Sequence, residues 1–443
     1  MASSFSKNLN YNLKPGMRSF ILVLCLALIY IQPVVSQSVE IVNDEKGYKL
    51  QVGGSDLFIK GMNWDYKPIG TNYTYSLWEQ PEDLIRQVLD HEMTMLKEIG
   101  VNAIRQYTGI PKEWISYIYE NYGIYTMLNH SFGRYGLSLD GQWIANTDYG
   151  DPAVEELLLS EVRQIANEFK NTEGLLLYLL GNENNYGLFW EGAETEDIPG
   201  NISIADDRAR DMYSLLNKGV LAIKEIDPGH PVAICNGDLQ FSEIIAEECP
   251  DMDIFGTNIY RGISFWDAFE KAESSFGKPV LLTEFGADAY NVISGEEGQA
   301  AQARYFVGNW MEICENAYGM GKTANCLGGF TFQFSDGWWK YGQTFNLDKH
   351  DTHASWSNGG YQFDYREGEN NMNEEWFGIC AKGPLNEEGV SELYPRMAYH
   401  FLHKIHEFDP LTSGRSPEDL LEHFSRIVSE VEDIKGNNDS IGR

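Results

Sequence analysis

Eight short apolar runs follow one another along the chain, separated by amphipathic segments, and each run closes on polar side chains. The runs cover residues 57–63, 101–107, 123–129, 175–183, 231–236, 253–260, 279–285 and 328–334. Helical patterns lie between them, at 81–99, 111–122, 152–169, 204–226 and 299–318. Strands of this length alternating with helices build parallel sheets, because a parallel crossover needs a helix to return the chain. Eight such units predict an α/β protein with a (β/α)₈ barrel. A doubly wound sheet would place a glycine-rich phosphate turn after its first strand, and Lys60-Gly61-Met62-Asn63-Trp64 is not one. Ahead of the first run, apolar stretches at 39–42 and 48–52 flank Asn43-Asp44-Glu45-Lys46-Gly47, which predicts a hairpin.

The 443 residues carry 66 acidic and 33 basic side chains, a formal net charge of −33. That balance excludes a phosphate-backbone partner and disfavours an anionic membrane surface, both of which need clustered Lys and Arg. Nucleic acid is not expected as a partner. Residues 20–31 form an unbroken apolar run behind Lys7, Lys14 and Arg18, and Val34 and Ser36 follow it. This is the order of a secretory signal, with cleavage expected after Ser36 and a secreted or periplasmic protein as the outcome. The run is too short to span a bilayer, which takes about 20 apolar residues, so no stable membrane insertion is expected after cleavage. The expected organisation is a signal peptide at 1–36, a barrel at 37–410 and a charged C-terminal helix or tail at 411–443. Five cysteines follow Ser36, at 235, 249, 314, 326 and 380. Export permits disulfides, and Cys314 with Cys326 could close a short loop.

In a barrel the chemistry sits at the C-terminal ends of the strands. Those ends carry Asn63 and Asp65, Arg105, Asn129 and His130, Asn182 and Glu183, Asn236 and Asp238, Asn258 and Tyr260, Glu284, and Gln333. Two are glutamates, on the fourth and seventh strands, which face each other across a barrel mouth. Glycoside hydrolysis needs such a pair: one carboxylic acid protonates the leaving oxygen and a second carboxylate attacks the anomeric carbon or activates water.

The order of these motifs is similar to that of the clan A glycoside hydrolases. The resemblance implies that Glu183 is the acid/base and Glu284 the nucleophile. It further implies that Asn182 binds the sugar 2-hydroxyl, that Arg105 steadies the nucleophile and that Tyr260 is the clan's strand-six tyrosine. A retaining outcome follows, with carboxyls about 5–5.5 Å apart. Within the clan, Phe58-Ile59-Lys60-Gly61, Arg105-Gln106-Tyr107 and Gly328-Gly329-Phe330 look like segments of the fungal β-1,3-glucanosyltransferases. Asp65-Tyr66-Lys67-Pro68 and Phe285 depart from that family's pattern. The expected substrate is a β-linked oligo- or polysaccharide, with β-1,3-glucan favoured, cleaved by hydrolysis or transglycosylation. An exo-acting β-mannosidase or β-galactosidase shares the pattern. A non-catalytic carbohydrate-binding barrel would be expected to lose one carboxylate, and both are present.

Between 335 and 392 periodicity is low and aromatics are dense, and a loop this long after strand eight is expected over the site. Trp338 or Trp339 is the expected sugar-stacking platform. A second insertion, 184–201, brings Tyr186, Phe189 and Trp190 just past Glu183. The histidines have no zinc-ligand spacing, and no metal or cofactor is expected. Asn72-Tyr73-Thr74 and Asn201-Ile202-Ser203 fit the glycosylation pattern.

Overall fold

A computed structural model describes residues 37–107, 109–188, 202–369 and 371–441. The signal-peptide segment, the aromatics Phe189 and Trp190, and Asn201 lie outside the described residues.

Eight parallel strands close into a barrel in sequence order. They are β1 (Ile59–Asn63), β2 (Ala103–Tyr107), β3 (Tyr125–His130), β4 (Leu175–Leu180), β5 (Val232–Gly237), β6 (Ile254–Asn258), β7 (Val280–Phe285) and β8 (Cys326–Thr331). The helices between and after them are α1 (Glu82–Glu98), α2 (Lys112–Tyr122), α3 (Pro152–Phe169), α4 (Ile202–Ile226), α5 (Ser242–Glu248), α6 (Ala268–Phe276), α7 (Gln299–Glu315) and α8 (Met397–His406). Each strand is thus followed by a helix, and the fold is a (β/α)₈ TIM barrel.

Local chemistry sets these boundaries. Helix α3 starts where Asp151 accepts a hydrogen bond from Ala153 N at 2.8 Å, with Pro152 at the first helical position. Helix α2 stops at Gly123, whose φ of +70° only glycine adopts without strain. All six residues of β4, Leu-Leu-Leu-Tyr-Leu-Leu, are buried, as expected of a strand covered on both faces. Leu176, Leu177 and Leu179 belong to the inner core with Ile59, Met127, Ile254 and Phe330. Tyr178 and Leu180 belong to the outer core between strands and helices.

The predicted N-terminal hairpin is a three-stranded antiparallel sheet, Val39–Asp44, Gly47–Val52 and Ser55–Leu57. Val39, Leu50 and Val52 join the inner core. Val39 N donates to Gly229 O and Tyr48 N to Ala324 O, in the turns that enter β5 and β8. The sheet therefore stoppers the N-terminal end of the barrel and leaves the C-terminal mouth for ligands.

Four sequence expectations change. The fourth run was expected to stay extended to residue 183, but β4 ends at Leu180, and Gly181 and Glu183 turn left-handed at φ +85° and +58°. The low-periodicity region does not reach 392 as loop, because Cys380–Leu385 and Ser391–Pro395 pair as a hairpin. Short helices α5 and α6 were not foreseen. Cys314 and Cys326 form no disulfide: all five cysteines are buried free thiols, and burial pushes Cys235 up to about 11. After α8, helix α9 (Pro417–Ile441) buries Leu420, Phe424, Ile427 and Val431 in the outer core. Residues from Gln37 onward form one compact unit, and none of its described helices is long and apolar enough to cross a membrane.

Candidate active site

Strand alternation decides which polar ends reach the mouth. Arg105, the third residue of β2, points inward and is 1% exposed. Its guanidinium is a hub. Nη1 donates to Glu284 Oε1 at 2.5 Å; Nη2 donates to Asn129 Oδ1 at 2.6 Å and to Asn182 Oδ1 at 2.7 Å. Asn129 is itself fully buried, its amide donating to Leu179 O and Gly181 O, so it orients Arg105. A buried fork bound to three oxygens, two from strands β3 and β7 and one from the turn after β4, fixes their positions more tightly than a lysine could.

The second oxygen of Glu284 accepts a hydrogen bond from Tyr260 Oη at 3.0 Å. Burial, followed by the charge of Glu284, raises the Tyr260 hydroxyl well above its ordinary value, so it stays a donor. Its ring is braced edge-on by Phe332, Trp356 and Phe377, and its carbonyl accepts from Asn358 Nδ2. Glu183 has different company: Asn258 Nδ2 donates to its Oε1 at 2.9 Å. Glu284 thus sits against a cation and a hydroxyl, and Glu183 accepts from a side-chain amide at the same mouth, where paired carboxyls can divide acid and base roles.

The turn carrying Glu183 is held from below. Asn184 Oδ1 accepts from Asn182 N at 2.7 Å, and its amide donates to Phe132 O and to Tyr149 Oη. Asn185 exchanges two hydrogen bonds with the backbone of Gly237 at the end of β5. These clamps keep a glutamate in a left-handed conformation that costs about 1–2 kcal/mol.

A cleft lined by Asn63, Asp65, Lys67, Arg105, Tyr107, Gln333, Trp339, Lys340 and Lys382 opens on this centre. Asn63 donates to Thr283 O and Phe330 O from the cleft floor. Gln333 presents a buried amide nitrogen without a hydrogen-bond partner. Asp65 is exposed at the rim and pairs with Lys67 at 3.2 Å.

Two expected binding residues are elsewhere. His130 follows Asn129, so alternation turns it outward, where its Nε2 lies 3.2 Å from Glu161 on α3. Trp338 stacks on His350 at 4.7 Å, and His350 stacks on Trp376 at 3.6 Å, so this ring belongs to the loop's own core. Trp339, its neighbour, faces the cleft. Tyr186, from the second insertion, covers Gly237 of β5.

The strand-end pattern contained Asn258, which lies where the β6–β7 register shifts. Asn184 was legible only as the residue after Glu183. Tyr135, whose hydroxyl accepts from Asn182 Nδ2 at 2.6 Å, lies in a loop that no periodicity marks. Among the described residues no group of three His, Cys, Asp or Glu side chains could hold a metal ion.

Known proteins agree with this architecture. The chain is 27% identical over 261 residues to a probable 1,3-beta-glucanosyltransferase of Saccharomyces cerevisiae, covering 52% of this chain and 46% of that one. A Bacteroides uniformis beta-glucuronidase superposes with a TM-score of 0.53 at 12% identity, over 83% of this chain and 37% of that one. A GH2 beta-galacturonidase from Eisenbergiella tayi, bound to galacturonate, gives a TM-score of 0.50 at 16% identity, over 84% and 54%. At such identities the structural likeness concerns the fold, and the chain spans about half or less of these relatives' lengths. The family described as "Glycosyl hydrolases family 2, TIM barrel domain" matches residues 83–316, just over half of the chain. The chain belongs to the glycosyl hydrolase family 2 TIM-barrel family.

Proposed function

We propose that this protein is an exported, retaining β-glycosidase that acts on a β-linked glucan by double displacement. The observation that carries the reading is the meeting of two carboxyls at one barrel mouth, with Glu284 held by Arg105 and Tyr260 and Glu183 accepting from Asn258. Glu284 attacks the anomeric carbon while Glu183 gives its proton to the departing oxygen. Glu183 then takes a proton from water or a sugar hydroxyl as that oxygen displaces Glu284. The yeast relative's name supports a β-1,3-glucan as substrate.

A second reading has its own observation. Lys340 lines the cleft, stands 4.7 Å over the Trp339 ring and makes no ion pair with any described residue. A cation in that place suits a β-uronide, as the names of the structural neighbours suggest.

Mass spectrometry of products from β-1,3-gluco-oligosaccharides, β-mannan, β-galactosides and β-uronides tests both. We expect glucan products that vanish with Glu284→Gln and a rate loss of about 10²–10⁴-fold with Glu183→Gln. Azide should rescue Glu183→Gln by forming a β-glycosyl azide. Cleavage of uronides alone transfers the assignment to the second reading, and an active Glu284→Gln overturns the mechanism.

A further inference from the structure

Thr283 stands directly before Glu284 on β7, and the mechanism above makes no use of its side chain. Its backbone is fixed, the carbonyl accepting from Asn63 Nδ2 at 3.1 Å and from Arg105 Nη1 at 3.4 Å. Its hydroxyl donates to Asn258 Oδ1 at 2.7 Å. Strand β6, which carries Asn258, lies between β7 and β5, and from β5 Cys235 reaches the same oxygen with its Sγ at 3.3 Å. Burial pushes that thiol up to about 11, so it keeps a proton to donate. The other end of the amide meets acceptors: Asn258 Nδ2 donates to Glu183 Oε1 at 2.9 Å and to Asn182 Oδ1 at 3.2 Å.

An amide can be turned end for end with little change of shape, so its partners decide which way it points. Here both ends are specified, with donors on the oxygen and acceptors on the nitrogen. Reversal would set the oxygen against a carboxylate and a second amide oxygen. Thr283 is itself held to one rotamer, because it is β-branched and its methyl packs beside Gly256, where a Cβ would meet Thr283 Cγ2 at 3.0 Å. With Thr283 0% and Asn258 2% exposed, solvent does not compete for these bonds.

We infer that Thr283, assisted by Cys235, is a positioning residue for the acid: it holds the Asn258 amide with its nitrogen toward Glu183, and so aims the Glu183 carboxyl at the leaving oxygen. The inference rests on the reading of Glu183 as the acid/base. Without the hydroxyl, the Asn258 oxygen keeps only the weak thiol donor, and a rotation that finds it a better partner takes the nitrogen off Glu183. Proton transfer tolerates little misplacement of the acid.

The test compares two leaving groups in the full chain. Dinitrophenolate departs from a β-laminaribioside without protonation, whereas phenolate depends on the acid. Thr283→Val should lower kcat/KM about tenfold on the phenyl compound and less than about twofold on the dinitrophenyl one. Thr283→Ser keeps the hydroxyl and should restore wild-type rates on both. In parallel, NMR of the chain labelled with nitrogen-15 asparagine reads the Asn258 side-chain amide, assigned by its loss in Asn258→Ala. Thr283→Val should move that resonance, and Thr283→Ser should leave it in place. Equal losses on the two substrates, or an unmoved resonance in Thr283→Val, overturn the inference. Should Thr283→Val fail to fold, Cys235→Ala removes the second donor and is judged by the same two readouts, with a selective loss of about two- to threefold expected on the phenyl compound. If wild type cleaves neither substrate, the glycosidase reading fails, and the amide resonance still decides whether Thr283 sets Asn258.

Discussion

Asn184 shows how a single side chain positions chemistry it never touches. It is 4% exposed, and it satisfies the Asn182 N–H, the Phe132 carbonyl and the Tyr149 hydroxyl at once. Asn184→Ala would leave the buried Asn182 N–H unpaired, at about 1–3 kcal/mol, while Phe132 O keeps its bond from the Tyr149 hydroxyl. It would also release a turn in which Glu183 holds φ at +58°. The expected outcome is a lowered Tm together with a kcat loss larger than any change in KM, since the misplaced group is the proposed acid and not a proposed binding contact. A variant that loses only stability would show that the turn holds its shape without the clamp. At this scale the sequence was partly legible. Chemistry-bearing residues at strand ends are visible because apolar runs stop on them, as at Arg105 and Glu284. Side-chain direction is less visible: His130 and Asn129 are adjacent, and the phase of β3 turns one to the mouth and the other to α3. Tyr135 and Lys340 carry no such signal, because loops lack a period to break.

The element that departs most from its sequence pattern is the segment between β8 and the Cys380–Leu385 strand. Its aromatics chiefly brace one another and Tyr260, and it is fastened to the β7–α7 connection. Tyr361 Oη donates to Gly286 O at 2.5 Å, and the carboxyls of Asp288 and Asp364 face each other, each 2% exposed. Two buried carboxyls in contact share a proton, since both cannot ionise cheaply. Burial pushes Asp364 up to about 6, and burial together with Asp364 raises Asp288 well above its ordinary value. The groups facing the pair are Asn373, whose N and Nδ2 donate to Asp288, and Tyr305 on α7, whose hydroxyl donates to Asp364 at 3.3 Å. Because the folded values lie above the unfolded ones, this stabilisation is full below about pH 4 and is lost as pH rises through 6 and beyond. Asp364→Asn keeps a hydrogen-bonding side chain and removes the titration. Its Tm should therefore fall less than that of wild type between pH 5 and pH 8, and parallel Tm curves would assign the pH dependence to other groups, such as Glu375, which burial pushes up to about 7. The barrel strands were legible because each is apolar on both faces. This fastening was not, because Asp288 and Asp364 are 76 positions apart and neither breaks a pattern.

For the whole molecule, architecture and charge obey different rules. The N-terminal sheet, the eight strands and the ring of helices share continuous apolar cores, and these explain the barrel without reference to charge. The net charge of −33 adds nothing to that core and works against it, since like charges on a compact body repel more than on an extended chain. Many of the basic side chains already sit in ion pairs, among them Lys49–Asp56, Lys218–Glu155 and Arg304–Glu432, so the excess carboxylates face water without countercharge. Salt screens that repulsion over about 10 Å at 0.1 M, and it screens exposed attractions equally. With twice as many acids as bases, repulsive neighbours outnumber attractive ones, and screening should stabilise the fold. Thermal unfolding in sodium chloride from 10 mM to 500 mM should therefore show Tm rising by several degrees, most of it below about 150 mM, where the screening length changes fastest. Arg105 and Glu284, sealed at 1% and 7% exposure, should feel little of this, so catalytic turnover of a neutral substrate should stay flat across the same series. A Tm that falls with salt would mean that paired charges, not the surplus, govern the electrostatics of this fold.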